Sequence, residues 1–326
     1  PWRGESREPL IELPDAVVPG LRASSAAVVA AAATFFCTWA ATPTHLEAGA
    51  YYELVFWGGG HVLQVACVAA MVALWIYFAT SVLGRAPITK RVATILFAGL
   101  VAPHLFAPLL TIEGTQTALY HAGSTRLMQF GIFPVVLVFA GIIAWRFWRA
   151  WRAGELELGD LADIRFVGLS ASISLTLVGF VLGAMIRGSN TMIPAHYHAA
   201  IGAVTVSFMT LGLLLLEPLG YRLKSERLEK LVPWQPALFG FGQVVFAVGF
   251  GLAGAGGMAR KAYGSEQQIR GIVDWIGLTT MGLGGLVAVA GGLLFLGVVV
   301  ASVAPQIAQS TGTLIGPGTL TDKEAT

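Results

Sequence analysis

Long apolar runs separated by short polar stretches recur along the whole chain. A bilayer core takes about 20 mostly apolar residues per helix. A window of that size yields spans near residues 24–42, 53–83, 91–112, 127–148, 166–186, 192–217, 234–257 and 273–303. The second and eighth are longer than a bilayer requires, which predicts tilt or ends that project into the interface. No run of alternating short strands with close turns is present, so a transmembrane barrel is excluded. The pattern predicts an all-α, polytopic membrane helix bundle with about eight transmembrane helices. An amino-terminal cytoplasmic or interfacial arm is expected over 1–23, the transmembrane domain over 24–305, and a flexible tail rich in Gly, Ser and Thr over 306–326.

Composition sharpens this picture. Of 326 residues, 56% are hydrophobic and 12% charged, where a soluble domain carries about a quarter charged residues. The expected solvent is therefore lipid. The 40 glycines support close helix packing, because small residues let membrane helices approach. Cys37 and Cys67 both lie inside apolar runs, which leaves no disulfide framework and no Cys-rich metal site. A net charge of +2 excludes a protein whose partner is nucleic acid.

The cations fall unevenly between the helices, and their bias sets orientation. Fifteen of the twenty Lys and Arg residues lie in the amino-terminal arm, in the loops after the second, fourth and sixth spans, or in the tail. That side is expected to be cytoplasmic, which places both termini there. Arg126, Arg187, Arg260, Lys261 and Arg270 fall on the opposite side.

Ionisable groups at membrane depth are costly and mark function by default. His45 and His121 are expected in outer loops, whereas His61, His104, His196 and His198 lie inside spans. The helical rise puts His61 roughly 12 Å below the outer start of its span. His104, His196 and His198 arrive at a similar level on two other spans. Residues two apart on a helix point about 200° apart, so His196 and His198 address opposite flanks. Such a helix suits two prosthetic groups, and haem iron accepts a single imidazole in an apolar setting. Taken singly, each histidine could instead serve as a hydrogen-bonded packing residue.

These motifs resemble those of the catalytic subunit of the haem-copper oxidase superfamily, which includes cytochrome oxidases and nitric oxide reductases. Tyr52-Glu53-Leu54-Val55-Phe56-Trp57-Gly58-Gly59-Gly60-His61 is similar to the family's sixth helix, and Pro103-His104-Leu105-Phe106 to its seventh-helix His-His-Met-Phe. Ala195-His196-Tyr197-His198 resembles the tenth-helix Ala-His-Phe-His, and Gly257-Met258-Ala259-Arg260-Lys261 resembles a Gly-Met-Pro-Arg-Arg loop. The four patches occur in the family's order, so the spans correspond to the last eight of its twelve helices.

The resemblance implies that His61 and His104 hold a non-haem iron or copper. Gln64, one turn from His61, would be a further ligand or hydrogen-bond donor. It implies that His196 binds a high-spin haem, that His198 binds a low-spin haem shared with a partner chain, and that Arg260 and Lys261 meet haem propionates. The implied function is a respiratory oxidoreductase of the bacterial inner membrane that reduces a diatomic gas. A cytochrome c-type protein or a quinol would donate electrons, and a companion membrane chain would supply the missing helices.

Departures from the family pattern matter. Val65 stands where oxygen-reducing members usually carry a tyrosine, and Pro103 replaces the first seventh-helix histidine. A tyrosine can supply one of the four electrons that dioxygen needs, whereas coupling two NO molecules needs two. The expectation is therefore NO reduction to N2O first and O2 reduction to water next. Glu113 is expected at the rim. Ser124, Thr125, Arg126 and Gln129 occupy the region of the family's proton-input lysine, and arginine does not relay protons by losing its own. A catalytically degenerate haem-binding subunit and a helical transporter are the alternatives. A transporter should show paired interrupted helices and an internal repeat, and neither is evident.

Overall fold

The computed structural model describes residues 12–261, 269 and 271–314. Arg3, Arg7, Arg270 and Lys323, along with 1–11 of the expected arm and 315–326 of the expected tail, lie outside the described residues. Among the described residues, eight helical segments are long and apolar enough to cross a membrane. The protein is thus an all-α, multi-pass membrane helix bundle. Among the described residues the β content is a single isolated bridge, Asn190 to Ala259.

Helix α1 spans Val18–Ala41, with Pro19 in its first turn. It begins six residues before the expected span, because proline lacks the N–H that a first turn leaves unpaired anyway. Helix α2 covers Ala48–Leu83. Helix α3, Lys90–Val101, runs directly into a 3-10 segment over Ala102–Thr111. Pro103 and Pro108 lie in that segment, and each removes a backbone donor from the regular α-helical ladder.

The span expected at 127–148 starts earlier than the apolar pattern suggested. Helix α4 is Ala118–Gly131 and α5 is Phe133–Arg152. The Thr117 hydroxyl accepts from Tyr120 N and caps α4. Next come α6, Ile164–Ala184, and α7, Met192–Leu216. The short α8, Glu226–Glu229, precedes α9, Gln235–Ala255. Helix α10, Ile272–Leu314, continues past the expected boundary at 305, with Pro305 inside it.

The second half of α2 is apolar on every side, and Met71, Val72, Ala73, Trp75, Ile76, Phe78 and Ala79 are all buried. A helix of that kind must be surrounded, and α2 contacts α1, α3, α5, α6 and α7. Ser172 pairs the polar groups that meet Trp75 in this core. Ser172 Oγ accepts from the Trp75 indole N–H at 2.8 Å and from Ser207 at 2.9 Å, while donating to the Ala203 carbonyl at 2.8 Å. One hydroxyl thereby ties α2, α6 and α7 together without leaving an unsatisfied donor, which in hydrocarbon would be costly.

Helices α9 and α10 form an antiparallel pair built on glycines seven residues apart. Gly242 and Gly249 lie on α9, and Gly277, Gly284 and Gly291 lie on α10. A Cβ at any of the five would come within 3 Å of backbone atoms across the interface. Seven residues make nearly two turns, so the glycines keep one seam.

The two ends of the bundle differ in charge. Arg85 pairs with Glu155, Arg146 Nε donates to the Pro87 carbonyl at 2.9 Å, and Lys90 meets Asp15 at 3.5 Å. These contacts gather the cationic loops between α2 and α3 and between α5 and α6, with the chain before α1, at one end. At the other end Thr42 and Thr115 hydroxyls meet at 3.1 Å, and Arg260 Nε donates to Ser189 Oγ at 3.0 Å.

Candidate functional site: imidazoles with free Nε2 atoms

His61 lies in the first half of α2, between three and four turns after Ala48. Its Nδ1 bonds the Trp57 carbonyl one turn earlier. A carbonyl only accepts, so Nδ1 carries the proton and the neutral ring presents its lone pair at Nε2. That Nε2 makes no hydrogen bond. The Trp57 ring stands 4.6 Å from the His61 ring and 5.5 Å from His121, and the Trp57 indole N–H is buried with no partner.

His121 was expected in a loop, yet it sits in the first turn of α4, half-buried beside α2. With Tyr120 it was missed as a site neighbour. The signal lay in Thr117, whose position as a helix cap starts α4 before the apolar stretch does. The Tyr120 hydroxyl donates to the Leu54 carbonyl at 2.7 Å and accepts from Gly58 N–H at 2.8 Å. Those two backbone groups are the ends of one helical rung, so the phenol is inserted into the α2 ladder one turn before His61. Such insertions bend helices. Tyr120→Phe should let the rung close directly, so the net loss of stability is on the order of 1 kcal/mol. Thermal melting followed by circular dichroism measures it, and an unchanged melting temperature would contradict the bridging role.

His104 lies in the 3-10 segment and is 1% exposed. Its Nδ1 donates to the Leu100 carbonyl at 2.9 Å, while Nε2 is buried without a hydrogen bond; the Leu127 backbone carbonyl is its polar neighbour on α4. Gly131 opposes the ring closely enough that a Cβ there would collide with His104 Cε1. No hydrogen bond or ring contact joins His104 to His61.

His196 and His198 address different neighbours. His196 Nδ1 donates to the Gly179 carbonyl of α6 at 2.7 Å, and Gly183 leaves room for its ring. His198 turns to α9, with its ring 4.9 Å from Phe246 and 6.2 Å from Phe250, and makes no hydrogen bond. The two rings thus serve opposite flanks of α7.

The chain after α9 folds back onto the start of α7. Thr191 N donates to the Met258 carbonyl at 3.0 Å, and Asn190 pairs with Ala259. This sets Arg260 and Lys261 at the amino-terminal end of the helix that carries both histidines. Lys261 is the sole non-glycine with positive φ among the described residues, at 60°, a conformation that costs free energy and persists only where neighbours impose it.

Gln64 is exposed and forms no hydrogen bond, Glu113 is exposed just past the 3-10 segment, and Val65 is fully buried. Among the described residues, no three His, Cys, Asp or Glu side chains stand close enough to hold one metal ion.

No protein-family model matches the chain, and no solved structure does. Two relatives do. An uncharacterized protein of Aquifex aeolicus (strain VF5) is 26% identical over 216 residues, covering 64% of this chain and 50% of that protein. An uncharacterized protein of Rickettsia prowazekii (strain Madrid E) is 24% identical over 292 residues, covering 77% of this chain and 54% of that protein. The chain spans about half the length of the curated relatives it matches.

Proposed function

We propose that this chain is a haem-binding subunit of a membrane oxidoreductase of the haem-copper type, reducing a diatomic gas, with NO favoured over O2. The observation that supports it is the hydrogen bonding of His61, His104 and His196. Each commits Nδ1 to a backbone carbonyl and leaves Nε2 without a partner, the arrangement in which a histidine ligates a metal through Nε2. An unpartnered Nε2 as deeply buried as that of His104 is costly unless something ligates it.

His196 and His198 suit separate irons, because each offers a single imidazole to a different neighbour of α7. On this reading His196 and His198 would each hold a haem iron on opposite sides of α7. Arg260 and Lys261 would meet anionic substituents at the outer end, where charge-assisted hydrogen bonds are strong. His61 and His104 would hold the non-haem metal, with Gln64 an oxygen donor one turn away. The bound metals would supply electron transfer and a binding point for the gas. Trp57 offers an unpaired N–H beside His61, suited to donate to a bound oxygen atom, and the buried core around α2 excludes water. Val65 carries no phenol to donate an electron, which favours the two-electron chemistry of NO coupling. A companion chain, a low-spin haem shared with it, and a cytochrome c-type or quinol donor complete the proposal, in a bacterial inner membrane with the cationic end cytoplasmic.

A degenerate subunit that binds haem without a second metal is the competing reading, favoured by the absence of a three-ligand cluster among the described residues. A pyridine haemochrome spectrum with metal analysis on protein purified from membranes separates the two. Haem with about one non-haem iron or copper per chain supports the reductase, haem alone supports the degenerate subunit, and no haem overturns both.

A further inference from the structure

At the end opposite the histidines, a cavity of about 450 Å³ opens between the start of α6, the end of α7 with the chain that follows it, α8, the turn before α9, and α10. Glu217, Tyr221, Arg222 and Glu229 line it together with apolar side chains that include Leu213 and Val298. These residues sit where four spans terminate, and Trp234 beside them is 63% exposed. Exposed aromatic rings at span ends mark the level of lipid headgroups.

The charges in this cavity are uncommitted. Glu217, Arg222 and Glu229 enter no ion pair and no side-chain hydrogen bond with the described residues. Two carboxylates and one guanidinium give the lining an acidic balance, although the surrounding surface carries Lys224, Arg227 and Lys230. A purely anionic headgroup would find one favourable charge and two repulsive ones. A headgroup carrying both a phosphate and an ammonium finds a partner for each, and the apolar wall suits an acyl chain.

We propose that this cavity binds a phospholipid whose headgroup joins a primary ammonium to its phosphate, with phosphate on Arg222 and ammonium on Glu217 and Glu229. A primary ammonium donates three hydrogen bonds, whereas a trimethylated one donates none. The site therefore separates phosphatidylethanolamine from phosphatidylcholine although both are zwitterionic. This site lies away from the histidines and does not depend on what they bind.

The test reconstitutes the full chain in vesicles of phosphatidylethanolamine, phosphatidylcholine and phosphatidylglycerol in equal parts, and counts retained lipid by native mass spectrometry. Phosphatidylethanolamine should be retained about fivefold over each of the other two lipids, the scale expected of solvent-exposed charge pairs. Glu217→Gln with Glu229→Gln should erase the preference, while Lys224→Gln leaves it intact. Equal retention of the ethanolamine and choline lipids, a preference for phosphatidylglycerol, or a quinone retained in place of lipid would each overturn the proposal. So would displacement by soluble glycerophosphoethanolamine, which lacks acyl chains. The comparison between lipids needs no variant, so it decides the matter even if the double variant fails to fold.

Discussion

Gly249→Ala should destabilise the bundle by about 3 kcal/mol, toward the upper end of what overpacking a tight core costs. The added methyl would sit within 3 Å of the α10 backbone near Gly277, Thr280 and Met281. Backbone atoms cannot rotate away as a side-chain tip can, so relief requires α9 and α10 to separate. Separation would also weaken the matching contacts at Gly242, Gly284 and Gly291, because all five glycines share one seam. Gly282→Ala on the same α10 provides the control, since a Cβ there meets nothing within 4 Å. It should be neutral or stabilising by up to about 1 kcal/mol, the intrinsic helical advantage of alanine over glycine. Thermal melting in detergent measures both. Equal melting temperatures for the two variants would show that the seam is not as close as described.

His196→Ala is expected to lower haem content roughly tenfold or more relative to the unsubstituted chain, since loss of an outer-sphere partner alone typically weakens a metal site 10–100-fold. The prediction rests on the proposed ligation, and the absorbance spectrum of purified protein reads it directly. Gly183→Ala gives a second, milder probe. Its methyl would crowd His196 Nδ1 and Cε1, pushing the ring off the Gly179 carbonyl without deleting it. Haem absorbance should shift or weaken there without vanishing. His198→Ala acts on the other flank of α7 and should leave the His196-dependent signal in place. Unchanged haem content in His196→Ala would end the assignment of that residue as a ligand.

Much of the architecture was legible without coordinates, for a physical reason. Lipid demands that each spanning segment satisfy its own backbone hydrogen bonds, so length and apolarity of a run are enough to locate a span. The segments expected at 166–186 and 192–217 match α6 and α7 within about two residues. The opposed directions of His196 and His198 likewise follow from helical periodicity alone. Legibility failed where a helix extends beyond its apolar stretch. Helix α4 begins at Ala118, nine residues before the expected span, because the Thr117 cap and not hydropathy decides where it starts. That shift moved His121 from an expected loop to the face of Trp57.

The amino-acid order by itself determined eight spans, the concentration of cations in alternate loops, and which spans carry imidazoles. Each of these is local, set by bilayer thickness, charge position and a 3.6-residue period. Only the tertiary structure decided what each ring touches: Trp57 against His61, Leu127 and Gly131 against His104, the Gly179 carbonyl for His196, and Phe246 for His198. It also decided that glycines 35 residues apart on α9 and α10, such as Gly242 and Gly277, share one seam. Those pairings join residues distant in sequence, and they depend on helix rotation and register, which apolar composition leaves free because lipid and protein interior are alike to a hydrocarbon side chain.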